Sequence, residues 1–275
     1  MRYPPSPTRF QRLNTDEIRA NFLLENLFEP DEVVLNYWDV DRTIVGSAVP
    51  TGGALPLETG DELIADYFTQ RREVGVLNTG GDGHVEVDGE RYDMAPRDIL
   101  YVGRGSEDVT FHSSDGASAP SRFYLMSYPA HETHPTAHMT KNDANLEELG
   151  EQSAGSRRDL YQYVHPGGLQ SAQLVMGITE VAEGNVWNTM PAHTHERRSE
   201  VYMYFGLESD EVVFHLMGEP QETRSIVVRD GEAALSPSWS IHGGAGTGNY
   251  TFCWAMGGEN QSFDDMQGVA MEDIR

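Results

Sequence analysis

The sequence predicts an all-β protein, a β-sandwich, jelly roll or barrel behind one short N-terminal helix. Beyond the segment that ends at Phe28, the apolar pattern has a period of two. Gly, Asp, Asn and Pro punctuate it at about hairpin spacing, and no helical pattern intervenes between the runs. The two halves of the chain also share an echo. "VEVDGERYDMAPRDILYVGRG" and "SIVVRDGEAALSPSWSIHGG" each run strand, Gly turn, strand, proline and short loop, which points to duplicated β-domains.

In chain order, the helix is "NTDEIRANFLLENLF". Asn14 is placed to cap it, Glu17 sits three residues on, and Ile18, Phe22 and Leu23 share a face. Short β-branched or aromatic runs follow: "DEVVLNYWDVDRTIVGSAVP", "HVEVDGERYDM", "DILYVGRG" and "SRFYLMSY" in the first half. The second half holds "AQLVMGITEV", "EVYMYFGL", "EVVFHLMG", "TRSIVVRDGEAALS" and "YTFCWAMGG". Between the halves lies the polar stretch "TKNDANLEELGEQSAGSRRD", Thr140 to Asp159, which reads as a linker. The expected domains are therefore residues 1–150 and 151–275.

Composition narrows the function. The 275 residues suffice for a substantial core, no window approaches an apolar membrane span, and "MRYPPSPTRF" has no signal-like apolar region. A soluble, cytoplasmic protein is expected. Cys253 is the only cysteine and sits in an apolar run, so it reads as core, and any metal must be held by His and carboxylate. The 44 acidic residues outnumber the 19 basic ones, of which Lys141 alone is lysine. Such a surface repels nucleic acid. It fits a salt-rich cytoplasm that screens self-repulsion, or a genome that favours arginine codons in an acidic enzyme.

The chemistry concentrates in "MPAHTHERRSEVYMYF". His193 and His195, two apart on a strand, project to one side; Glu200 follows after a polar "ERRS" turn and shares its face with Tyr202 and Tyr204. A fourth ligand comes from "GEAALSPSWSIH", which ends in His242. Three neutral imidazoles and one carboxylate leave a divalent ion open positions for water or substrate, which is a catalytic arrangement. "HETHPTAH" offers His131, His134 and His138, but Pro135 breaks any helix that would align them. "GGAGTG" lacks the helix that a phosphate loop needs. His84 and His112 read as isolated, so the first domain is expected to carry no metal and to serve packing, assembly or pocket walls.

At these residues the chain resembles the 5-keto-4-deoxyuronate isomerases, also called 4-deoxy-L-threo-5-hexosulose-uronate ketol-isomerases, of the cupin superfamily. The likeness spans nearly the whole chain through "FLLENLFEPDEVVLNYWDVDRTIVG", "RREVGVLNTGG", "VWNTMPAHTHERRSEVYMYFGL" and "SPSWSIHGGAGTGNYTFCWAMGGENQSFDDMQGV". It implies two cupin-like jelly-roll domains and one zinc ion per subunit on the positions matching His193, His195, Glu200 and His242. It also implies a homo-oligomer, often a hexamer, and conversion of the deoxy-keto-uronate product of pectin or related polysaccharide lyases into 3-deoxy-D-glycero-2,5-hexodiulosonate. Trp239 stands where other cupins have glycine, as it does in this family.

The implied reaction moves a carbonyl from C1 to C2. A proton-transfer route needs a base, for which Tyr202, Tyr204 and Glu259 are the candidates, whereas a hydride shift needs none. Arg71, Arg72, Arg198 and Arg224 are open to the substrate carboxylate, none preferred. The alternative is a cupin dioxygenase with iron, manganese or nickel on the same ligands; a non-catalytic sugar-binding or storage protein is a third reading.

Overall fold

The computed structural model describes residues 1–262 and 265–275; Phe263 and Asp264, within one of the quoted motifs, lie outside the described residues. Strand alternation explains the architecture. In the first half, a six-stranded sheet packs on a four-stranded one made of Leu55–Pro56, Val109–Ser113, Gly83–Val87 and Glu90–Met94. The second sandwich packs a seven-stranded sheet, which takes Leu23–Leu24 and Asn145–Leu149 from the first half, on a four-stranded one made of Trp187–Asn188, Ile241–Gly246, Val213–Glu219 and Glu222–Val228. Each half is a cupin-like sandwich of antiparallel strands.

The central strands of the two large sheets are buried on both faces, and their alternate residues serve different cores. In Phe123–Pro129, Phe123 and Leu125 fill the first sandwich, while Tyr124, Met126 and Tyr128 turn outward. In Arg198–Phe205, Tyr202 and Tyr204 face the second interior, while Val201, Met203 and Phe205 turn out to meet the first domain. The outward faces form one shared core, which includes Cys253 as expected. Close approach there needs glycine: a Cβ on Gly257 would lie 2.3 Å from the Tyr128 ring. A polar pin crosses the same seam. The buried Glu73 carboxylate accepts the backbone N–H groups of Ala172, Gln173 and Leu174 at 2.7, 2.8 and 2.7 Å, and the Tyr101 hydroxyl at 2.7 Å.

The helix runs Thr15–Phe22 with the expected cap, in which Asn14 and Glu17 exchange side-chain and backbone bonds at 2.9 Å. It packs on the second sandwich, not the first. Leu23–Leu24 pairs with Ala233 and Ala234, and Phe10 and Phe22 meet Trp239 edge-on with centroids 5.3 and 6.3 Å away. Trp239 thus anchors the loop that leads into His242.

Two expectations need correction. The stretch Thr140 to Asp159 is not a structureless linker: Asn145–Leu149 forms an edge strand on Arg158–Val164, so it continues the seven-stranded sheet. Its apolar residues are too few to show, because an edge strand buries one face only. His84 and His112 are not isolated either. They lie opposite each other on neighbouring strands with rings stacked at 4.3 Å. Period alone cannot reveal a cross-strand neighbour.

Candidate metal centre

The expected turn between His195 and Glu200 forms at Glu196 and Arg197, and the strand Arg198–Phe205 then carries Glu200 into the second sandwich. His193 sits on a two-residue strand paired with Gln267–Gly268, and His242 comes from the opposing four-stranded sheet, beside Met217. Three separate segments therefore meet at one point. His195 Nε2 and His242 Nε2 lie 3.1 and 2.8 Å from Glu200 Oε2. His193 Nε2 lies 3.2 Å from His195 Nε2 and 2.9 Å from His242 Nε2.

These separations test the donor set directly. Nitrogen ligands about 2.0–2.1 Å from one ion, at octahedral to tetrahedral angles, stand roughly 2.9–3.4 Å apart. The imidazoles match that range, and all four ligand atoms lie within 4.8 Å of one another. Charge agrees with geometry. Burial, followed by the neighbouring His242, brings the His193 pKa down to about 3 and keeps the ring a neutral donor. Burial opposes the charge on Glu200, but His242 and the hydrogen bonds from His195 and His242 hold its carboxyl well below the usual range. One carboxylate and three imidazoles that converge on one point form a cation receptor.

The surroundings orient the ligands. His195 Nδ1 is 2.8 Å from the Asp265 carbonyl, which takes the Nδ1–H and leaves the Nε2 lone pair facing the centre. Arg198 is buried and donates Nη2 to the same carbonyl at 3.1 Å, so it braces His195 and does not line the cavity.

A cavity of about 270 Å³ opens from the cluster across the face of the seven-stranded sheet. Tyr202 reaches it, with its hydroxyl 3.0 Å from Thr189 Oγ1. Burial, then the Glu200 charge, pushes its pKa well up, which favours the protonated phenol as a hydrogen-bond donor. Tyr204 shares the face as expected but lies behind, 2.7 Å from His215 Nδ1. Glu259 stands apart: it is exposed, with Arg197 Nε 3.8 Å away. A residue one step beyond a strand end turns to solvent here, which alternation does not foretell.

The four arginines considered for a carboxylate do not line this cavity. Arg224 donates to the Thr223 and Gln11 carbonyls, Arg71 to the Ile64 carbonyl, and Arg72 to Ser127 and Arg42 within the first domain. The cavity instead holds Arg158, which sequence reasoning missed because it was assigned to the linker. The alternation of Arg158, Leu160 and Gln162 in "RRDLYQYV" was the available signal. His134 and His138 diverge to Glu132 and Asp98, and "GGAGTG" begins inside the strand Ile241–Gly246.

Residues 25–272 match the KduI/IolB family. Proteins named 4-deoxy-L-threo-5-hexosulose-uronate ketol-isomerase, from Halalkalibacterium halodurans and Kineococcus radiotolerans, are each 50% identical, over 100% of this chain and 99% of their own length. One from Caldicellulosiruptor bescii is 49% identical with the same coverage. Among solved structures, an IolB-like protein from Salmonella typhimurium superposes with a TM-score of 0.72 at 11% identity, covering 90% of this chain and 97% of its own. Oxalate decarboxylase from Lactobacillus farciminis gives 0.58 at 10%, covering 90% and 89%. At such identities these two speak for the fold alone.

Proposed function

The chain belongs to the KduI/IolB family, and from that premise we propose that it is the ketol-isomerase that acts on 4-deoxy-L-threo-5-hexosulose uronate. The full-length identity of 50% to a protein of that name carries the reading. The product is 3-deoxy-D-glycero-2,5-hexodiulosonate, formed when a hydrogen leaves C2 for C1 and the carbonyl moves the other way.

His193, His195, Glu200 and His242 hold one divalent ion per subunit, and zinc is our choice because it accepts imidazole and carboxylate and needs no redox partner. When bound, such an ion supplies a Lewis acid that polarises a carbonyl and stabilises negative charge on the reacting oxygens. The chain's own groups do the rest. Asp265 and Arg198 fix the His195 ring, Glu200 offsets part of the ion's charge, and Tyr202 offers its proton to a substrate oxygen from the cavity wall. The oxygen-consuming alternative loses support, since the full-length relatives carry the isomerase name.

We place the enzyme in the cytoplasm as a homohexamer, fed by lyase products of pectin or related polysaccharides. Its charge of −25 supports salt adaptation. Melting temperature and oligomer fraction should then rise between roughly 0.1 M and molar salt more than in a less acidic relative, an equal response counting against the idea. The function is tested with freshly purified protein, by metal analysis and by following carbonyl migration in lyase-treated pectin. Metal-replete protein without isomerase activity would overturn it.

A further inference from the structure

The cavity wall on the strand Arg158–Val164 carries a cation that has no counter-ion among the described residues. Arg158 opens the strand Arg158–Val164 and shares its inward face with Leu160, both lining the cavity. Its Nη1 donates to the Ser156 carbonyl at 2.9 Å. Among the described residues no carboxylate lies within 4.0 Å of it, in a chain with 44 acids to 19 bases. The neighbour makes the contrast plain: Arg157, on the outward face, pairs with Glu148 at 3.4 Å. Glu147 lines the same cavity but sits across from Leu160, while Leu149 faces Arg158.

A half-buried guanidinium has shed water and, among the described residues, gained one carbonyl in exchange. Its planar fork suits a carboxylate, and a permanent acidic partner would block that fork. We propose that Arg158 anchors the substrate's carboxylate, so that a six-carbon keto acid lies along the cavity with its carboxylate at Arg158 and its reacting end at the four-ligand cluster. Arg158 then selects uronates over neutral sugars of equal length. This orientation rests on the isomerase reading, but the anion site itself stands on the geometry of the cavity. Local positive charge also offsets the repulsion that an anion meets from the acidic surface.

The test uses full-length, metal-loaded protein. Arg158→Gln should raise KM for the uronate roughly 10- to 100-fold, with kcat changed far less, because a charge-assisted hydrogen bond is lost. Arg158→Lys should restore part of the loss, and Arg157→Gln should leave KM as it is. Metal content and melting temperature serve as controls for folding. A second arm avoids catalysis: 5-keto-D-gluconate and a neutral ketohexose are titrated calorimetrically into both proteins. The wild type should prefer the keto acid, and Arg158→Gln should bind the two alike. Unchanged KM in Arg158→Gln, or equal binding of both ligands by the wild type, overturns the anchor. An inactive wild type that still binds the keto acid through Arg158 would sink the isomerase reading and leave the anchor standing.

Discussion

The two sandwiches share a plan, a large sheet against a four-stranded one, yet they use histidine in opposite ways. In the second, His193, His195 and His242 converge on Glu200 inside the sandwich. In the first, His84, Glu86 and His112 also lie close together, but on the outer face of the four-stranded sheet, because Val85, Val87 and Phe111 take the inner face. Parity decides the difference, since a shift of one residue along a strand moves a side chain from interior to solvent. The interiors differ accordingly. The first is packed with Val, Leu, Phe and Met, whereas the second trades part of its core for polar ligands and a cavity. Function lies in the site, not in the shared fold.

The strongest way to break this comparison is to remove an inner ligand. His193→Ala or His242→Ala should cost most of the bound metal and lower kcat/KM by about 10³-fold or more, as loss of several kcal/mol of charge stabilisation requires. Metal analysis beside the isomerase assay checks it, and a double variant with a full tight equivalent would refute the ligand set. Next comes the pair of inner phenols. Tyr202→Phe removes a donor from the cavity and should lower kcat by roughly 10²-fold. Tyr204→Phe should leave kcat within about threefold and instead cost about 1–3 kcal/mol of stability, since it strips the buried His215 Nδ1 of its partner. Equal kinetic effects would show that the cavity does not separate them.

Much of this was legible beforehand. Period-two runs give the strands, and the spacing of His193, His195 and Glu200 plus a later His242 gives the cluster, because ligand parity on a strand is a local property. What stayed hidden depends on partners distant in the chain. The helix was expected, but its docking on the second sandwich through Trp239 was not. Asn145–Leu149 becomes a strand only when Arg158–Val164 lies beside it, and with that strand went Arg158. Glu73 shows the same limit: a lone acid in an apolar run has meaning only once Ala172, Gln173 and Leu174 present their N–H groups to it. Glu73→Gln should lose about 2 kcal/mol of stability, read as a lower melting temperature, with metal content unchanged. Loss of metal in that variant would mean that the seam between the sandwiches shapes the site.

The smallest effect is expected at the outer histidines, and it sharpens the comparison most. His84 and His112 stack with centroids 4.3 Å apart and planes 8° from parallel. Imidazole lone pairs lie in the ring plane, so the closer two parallel rings lie face to face, the less well both aim at one ion. The inner rings of His195 and His242 are also near parallel, at 10°, but lie 5.1 Å apart with both Nε2 atoms on Glu200, and His193 closes the set at 77° and 83°. Outside, Glu86 is half exposed and each Nε2 stays 3.8 Å from its carboxylate. Freshly purified protein should therefore carry one metal equivalent per subunit, and the double variant His84→Ala, His112→Ala should retain that equivalent and its activity, with stability shifted by about 0.5 kcal/mol or less. A second equivalent that survives gel filtration and disappears in the double variant would show that residue type and proximity suffice to hold a metal, and that convergence inside the sandwich is not the deciding feature.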